Sequence, residues 1–196
     1  MPVNSKQQRR GFTLIEMMVS VSIFSIVMLI GTGSILAVVN ANRKAQSIKS
    51  VVNNLNFALE TMSRNIRVGT TYRCDGNLPN ASSASVRRNC KNNGDDHLII
   101  EPQYGSSATT NDQVIYFYDA SQQALFRQIG TSGSPVRITA EEVKLTYVRF
   151  FVDGSKLDDE GIQPRVRILV EGYADVGKER STFRMQTTVV QRILQI

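Results

Sequence analysis

Arg9-Arg10-Gly11-Phe12-Thr13-Leu14-Ile15-Glu16 opens an apolar run that continues to Val39. From Phe12 to Val39 the chain has no Lys, Arg, Asp or Pro, and Glu16 is its one charge. Twenty-eight residues exceed the roughly 20 that cross a bilayer as a helix. A carboxylate inside such a run costs about 2.5–3.5 kcal/mol on an insertion scale. Glu16 is therefore a functional residue by default, and its cation has to be found.

Lys6, Arg9 and Arg10 precede the run. Basic residues on this flank predict an N-terminus that stays cytoplasmic and a following chain that is exported. Arg43 and Lys44 on the far side pull the other way, but the first flank usually dominates. A secretory signal would carry a shorter apolar core of about 7–15 residues and a small-residue cleavage site beyond it. Ala37-Val38-Val39 is a poor site of that kind, and an acidic residue near the start is foreign to a simple signal.

The order Arg9-Arg10-Gly11-Phe12-Thr13-Leu14-Ile15-Glu16-Met17-Met18-Val19-Ser20 resembles, almost letter for letter, the prepilin cleavage and methylation motif. Type IV pilins and the pseudopilins of type II secretion carry it. The resemblance covers about the first thirty residues, and the following helix much more weakly. It implies that a membrane peptidase cuts on the cytoplasmic side between Gly11 and Phe12, then N-methylates Phe12. The leader would be residues 1–11. It further implies a spine helix carrying a globular head, and assembly with other pilin or pseudopilin subunits on an inner-membrane platform.

The residue types suit that chemistry. Gly11 has no side chain, so a peptidase can approach the scissile backbone closely. Cleavage would free an amine at Phe12, four residues before Glu16. Within one helix, i and i+4 are neighbours. Across a filament, Glu16 of one subunit would pair with Phe12 of another. The resemblance implies the second pairing, whereas the sequence permits both, and also a Glu16 that snorkels from a helix end. A desolvated carboxylate without a cation is penalised, so either pairing would fix register by charge. Gly31 and Gly33 then interrupt the pattern. They read equally well as a site of local unwinding or as close helix packing.

The helical pattern outlasts the apolar run. Ile48, Val52, Leu55, Leu59, Met62 and Ile66 recur at steps of four and three, which is one apolar stripe. Gly69 marks its end. The expected organisation is residues 12–39 as membrane or filament-core helix, 40–68 as an amphipathic continuation, and 69–196 as a β-rich head. Residues 70–96 are polar and turn-rich, so they read as a loop. Candidate strands are 97–101, 113–119, 123–129, 143–152, 164–174 and 182–193, with turns at Ser121–Gln123 and at Asp153-Gly154-Ser155. A long helix followed by antiparallel strands gives an α+β fold, with the amphipathic half against the sheet.

Composition narrows the function classes. Net charge is +6, and Lys6, Arg9 and Arg10 supply three of those charges. The remaining excess is unremarkable, so no nucleic-acid partner is expected. Arg87, Arg88 and Lys91 form a short basic run, but it lacks interleaved aromatics. The two cysteines, Cys74 and Cys90, are an even count in an Asn- and Ser-rich loop, which suits a disulfide in an oxidising compartment. His97 is the only histidine, so no catalytic triad and no zinc site assembles. Asp153, Asp158, Asp159 and Glu160 supply oxygens of the kind Ca2+ takes, but Lys156 intrudes and the spacing is not that of an EF-hand. A solvated hairpin is the simpler reading, and no cofactor is expected.

These residues point to a substrate of an enzyme rather than an enzyme. The expected protein is a prepilin-type structural subunit, anchored by one pass in the inner membrane with its head outside the cytoplasm. Its partners would be the prepilin peptidase/methyltransferase, membrane lipid and sister subunits. Ser63-Arg64-Asn65-Ile66-Arg67, the run Tyr147–Val152 and the strand Pro164–Val170 are similar to minor pseudopilins of the J class. A large head on the mature chain also suits a minor subunit. Two other classes remain open: an adhesin or DNA-binding pilin displayed on a filament, and a membrane enzyme with an uncut anchor.

Overall fold

A computed structural model describes residues 11–74, 86–90, 92–106, 108–156, 162–176 and 179–192. It contains helix α1 (Leu14–Val68) followed by eight strands: β1 (Thr71–Arg73), β2 (His97–Glu101), β3 (Val114–Asp119), β4 (Ala124–Ile129), β5 (Val136–Arg137), β6 (Val143–Asp153), β7 (Arg165–Val176) and β8 (Glu179–Val190). The fold is α+β, as the patterning indicates. The described residues divide into two compact units, one up to Ala45 and one from Gln46.

In the first unit, α1 exposes large apolar side chains on every side, among them Met18, Phe24, Leu29 and Leu36. Its polar side chains are satisfied locally. Ser20, Ser22, Ser25, Thr32 and Ser34 each donate a hydroxyl hydrogen bond to the carbonyl four residues back, at 2.8–3.0 Å. Hydroxyls bonded in this way cost little in an apolar surrounding, because no donor is left bare. This explains how five hydroxyl residues are tolerated in a segment that otherwise matches lipid.

The second unit is built on the last turns of α1. Val51, Leu55, Ala58, Leu59, Met62 and Ile66 are buried there. The stripe starts later than the sequence periodicity suggests, since Ile48 is exposed and Val52 half-buried. Two antiparallel sheets share this core. One has five strands in the order β1-β2-β3-β4-β5, and the other three in the order β6-β7-β8. Leu98, Ile100, Tyr116 and Leu125 of the first sheet, and Val148, Phe150, Ile168 and Val170 of the second, complete the cluster.

Gly69 follows the last helical residue at a place with no room for a side chain. A Cβ there would collide with the Ile100 side chain. The carbonyls at this end, which a helix leaves unpaired, are capped from distant parts of the chain. The Tyr72 hydroxyl, with two acceptors at 2.6 and 2.8 Å, lies against Ile66 O and Gly69 O. Gln191 Nε2 donates to Gly69 O at 2.8 Å, and Arg192 N to Arg67 O at 2.9 Å. The residues just after β8 thus close on the end of the helix.

Three features differ from the sequence reading. Residues 70–96 are not simply a loop, because β1 pairs antiparallel with β2. The segment beyond it makes bridges Arg73↔Arg88 and Asp95↔Phe150. A three-residue strand is too short to show a period; tertiary packing of Tyr72, which is 1% exposed, holds it in place. Strand β5, two residues long, escaped the pattern for the same reason. The single expected sheet is two, meeting where Leu145 N of β6 donates to Gln123 O beside β4 at 2.8 Å and the Tyr118 hydroxyl of β3 donates to Leu145 O at 2.9 Å. Alternation along a strand reports which face is buried, and it is silent on which strands are neighbours.

Candidate functional site

At the start of α1, Thr13 sits just before the first helical residue and Glu16 in the first turn. Glu16 N donates to Thr13 Oγ1 at 3.3 Å, and Met17 N to Thr13 O at 3.2 Å. Thr13 is an N-cap, with an acidic residue three positions on. The helix dipole favours a carboxylate in that first turn. Thr13 was overlooked by the sequence reading, although Thr-x-x-Glu before an apolar run is a recognisable start signal. The helix begins at Leu14, so Phe12 lies just before its first turn. Among the described residues Glu16 makes no ion pair.

Leu14–Val68 is long and apolar enough over part of its length to cross a membrane, and the apolar part has none of its surface buried. A bare apolar helix headed by Gly11-Phe12-Thr13 and one carboxylate is the feature that decides the comparison. A family model for the "Prokaryotic N-terminal methylation motif" matches residues 6–32. The chain carries a prepilin-type methylation motif. Motif and fold together are consistent with the type IV pilin and pseudopilin family, whose members are structural subunits. No curated protein and no solved structure matches the chain.

Other sequence candidates fall in the second unit. Cys74 and Cys90 form a disulfide with Cα atoms 5.0 Å apart. It ties the segment after β1 to β6, where Val152 N donates to Cys90 Sγ at 2.9 Å. Asp153 pairs with Arg165 at 3.3 Å. Its proposed companions Asp158, Asp159 and Glu160 lie outside the described residues, and so does Lys91. Arg88 is held by its backbone, with N donating to Tyr72 O at 3.2 Å.

His97 has closer company than its isolation in the sequence suggests. Its Nδ1 lies 2.8 Å from Asp96 Oδ1, its ring stacks on Phe117, and its N donates to Asp95 Oδ1. Burial pushes the Asp95 carboxyl up, and the neighbouring Asp96 adds to this. Three adjacent side chains could offer ligand atoms within 4.8 Å of one another, but a stacked His fixed to its neighbour is also an ordinary strand start.

A buried polar chain runs from Arg73 Nη2 through Gln113, at 2.8 Å, to Glu101 Oε2, at 2.9 Å. Burial raises the Glu101 carboxyl above its usual range, and Gln113 and Arg73 partly offset this. Arg73 and Glu101 are 1% and 3% exposed, so neither can reach a substrate from solvent. This network holds β1, β2 and the start of β3 together; it has no access route for catalysis.

Proposed function

We propose that the chain is a structural subunit of a type IV pilus or type II secretion pseudopilus, made as a prepilin. A prepilin peptidase removes residues 1–11 and methylates the new amine of Phe12. Glu16 then accepts that amine from a neighbouring subunit as the filament grows. The observation that supports this most is the methylation motif at residues 6–32, leading into an apolar helix whose one charge is Glu16. The fitting location is the inner membrane, with residues before Gly11 cytoplasmic and the β-rich unit outside, where the Cys74–Cys90 bond is stable to reduction. Within the class, a minor subunit suits the large β-rich unit.

Co-expression with an active prepilin peptidase tests the reading. Intact mass should fall by residues 1–11 and rise by one methyl group, and Gly11→Val should leave the precursor whole. An unchanged mass beside a control prepilin that is cut would refute it.

A further inference from the structure

We infer that the solvent face of the β6-β7-β8 sheet is a docking surface for an acidic protein partner, centred on Arg149 and Arg167. The register defines that face. Val148, Phe150, Val152, Val166, Ile168 and Val170 point into the core, so the alternating residues point out. Six cations lie there: Lys144, Arg149, Arg165, Arg167, Arg180 and Arg184. Three carboxylates join them, each paired: Asp153 with Arg165, Glu171 with Arg184 at 2.9 Å, and Asp175 with Arg180 at 3.2 Å. The face therefore has an excess of three positive charges. After Lys6, Arg9 and Arg10 are set aside, the whole chain has an excess of three. This face alone carries an excess of that size.

The uncompensated cations are Lys144, Arg149 and Arg167, which pair with no carboxylate among the described residues. Two of them lie over aromatic rings. Arg167 stacks over Phe151 at 4.4 Å, and Arg149 over Tyr147 at 5.1 Å while donating to Val148 O. Arg149 pairs with Leu169 across the strands and Phe151 with Arg167, so the two arginines sit on adjacent rows. A stacked guanidinium loses little freedom when its N–H edge meets a carboxylate, which suits a bidentate contact. A cleft of 340 Å3 opens beside Arg167, bounded by Cys90, Asn92, Phe151 and Asp153. Arginine and aromatic residues around a recess are the composition of an interface hot spot.

A nucleic acid fits less well. Single strands bind by stacking bases on open rings. Here the rings of Tyr147, Phe151 and Tyr173 are each already covered by a guanidinium, the last by Arg180 at 3.8 Å. The surface is independent of N-terminal processing, so the two readings fail separately.

The test uses the full chain in detergent with two labelled probes, a twelve-residue Glu-Ser peptide and a dT20 oligonucleotide, read by fluorescence anisotropy at low salt. The wild type should bind the peptide in a salt-sensitive manner. Arg149→Glu/Arg167→Glu should weaken it at least tenfold, whereas the charge-matched Lys49→Glu/Arg64→Glu pair should change it less than twofold. Arg149→Lys/Arg167→Lys keeps the charge but not the planar edge and should fall between. Thermal melting of each variant establishes that it is folded. No peptide binding, equal loss in the charge-matched control, or tighter binding of dT20 lost with the same arginines would each overturn the proposal.

Discussion

Single polar groups in this chain act mainly through the backbone they bond. Tyr72 is buried, and its hydroxyl meets two carbonyls at the end of α1. Burial pushes this phenol well above its ordinary value, so it stays a neutral donor throughout the useful pH range. Tyr72→Phe keeps the ring and strips the donor. The expected loss is about 1–3 kcal/mol in a urea unfolding midpoint, because buried acceptors lose their partner. Asp119 gives the opposite titration. Hydrogen bonds from Ser121, and then from Gln122, hold its exposed carboxyl below the usual 3.8. A depressed carboxyl contributes stability above its unfolded value, which is lost as pH falls through the folded one. Asp119→Ala should therefore melt lower than wild type at neutral pH, with the gap narrowing below pH 3.8. A gap that is independent of pH would assign the effect to turn geometry rather than to charge.

At the scale of elements, much of the architecture could be read from periodicity. The step of four and three from Leu55 to Ile66 located the buried stripe of α1, because a stripe is a property of one helix and needs no neighbour. Met62 is fully buried within it, while Phe57, five residues earlier, is 74% exposed. Met62→Ala should cost about 2–5 kcal/mol and Phe57→Ala within about 0.5 kcal/mol, measured by chemical unfolding. Similar costs at both positions would mean the helix packs by a different face. The short strands β1 and β5 and the split into two sheets were not legible, since they depend on contacts between residues far apart in sequence. The same holds for the arginine–aromatic face, whose members are scattered from Lys144 to Arg184 and meet only through register. The disulfide lies between these cases: two cysteines suggested it, and the bridges around Arg88 and Asp95 show what it fastens. Cys74→Ser/Cys90→Ser should lower stability by about 3 kcal/mol under oxidising conditions and leave it unchanged relative to reduced wild type.

For the molecule as a whole, the decisive charge is Glu16, because the apolar run Phe12–Val39 that carries it has no Lys or Arg and Glu16 makes no ion pair among the described residues. Inside the membrane an unpaired carboxylate costs about 2.5–3.5 kcal/mol, equivalent to a bias of about 100-fold toward any state that pairs it. Thr13 and the helix dipole relieve part of this by favouring a negative end at the first turn. They act equally on a lone subunit and on an assembled one, so they cannot drive assembly. In the assembly proposed above, an amine from another chain would act only on contact, which would make it the term that separates the two states. Glu16→Gln keeps the size and hydrogen-bonding capacity while removing the charge. It should still be cut after Gly11 and still enter the membrane, slightly more favourably than wild type. It should then fail to join filaments built from partner subunits, as judged by its share in sheared filaments against the membrane fraction. Incorporation at the wild-type level would show that Glu16 only caps its own helix. Loss of cleavage would place its role at the peptidase instead. Between these outcomes, an uncut precursor and a cut but unassembled subunit differ in mass, so one gel and one spectrum distinguish them.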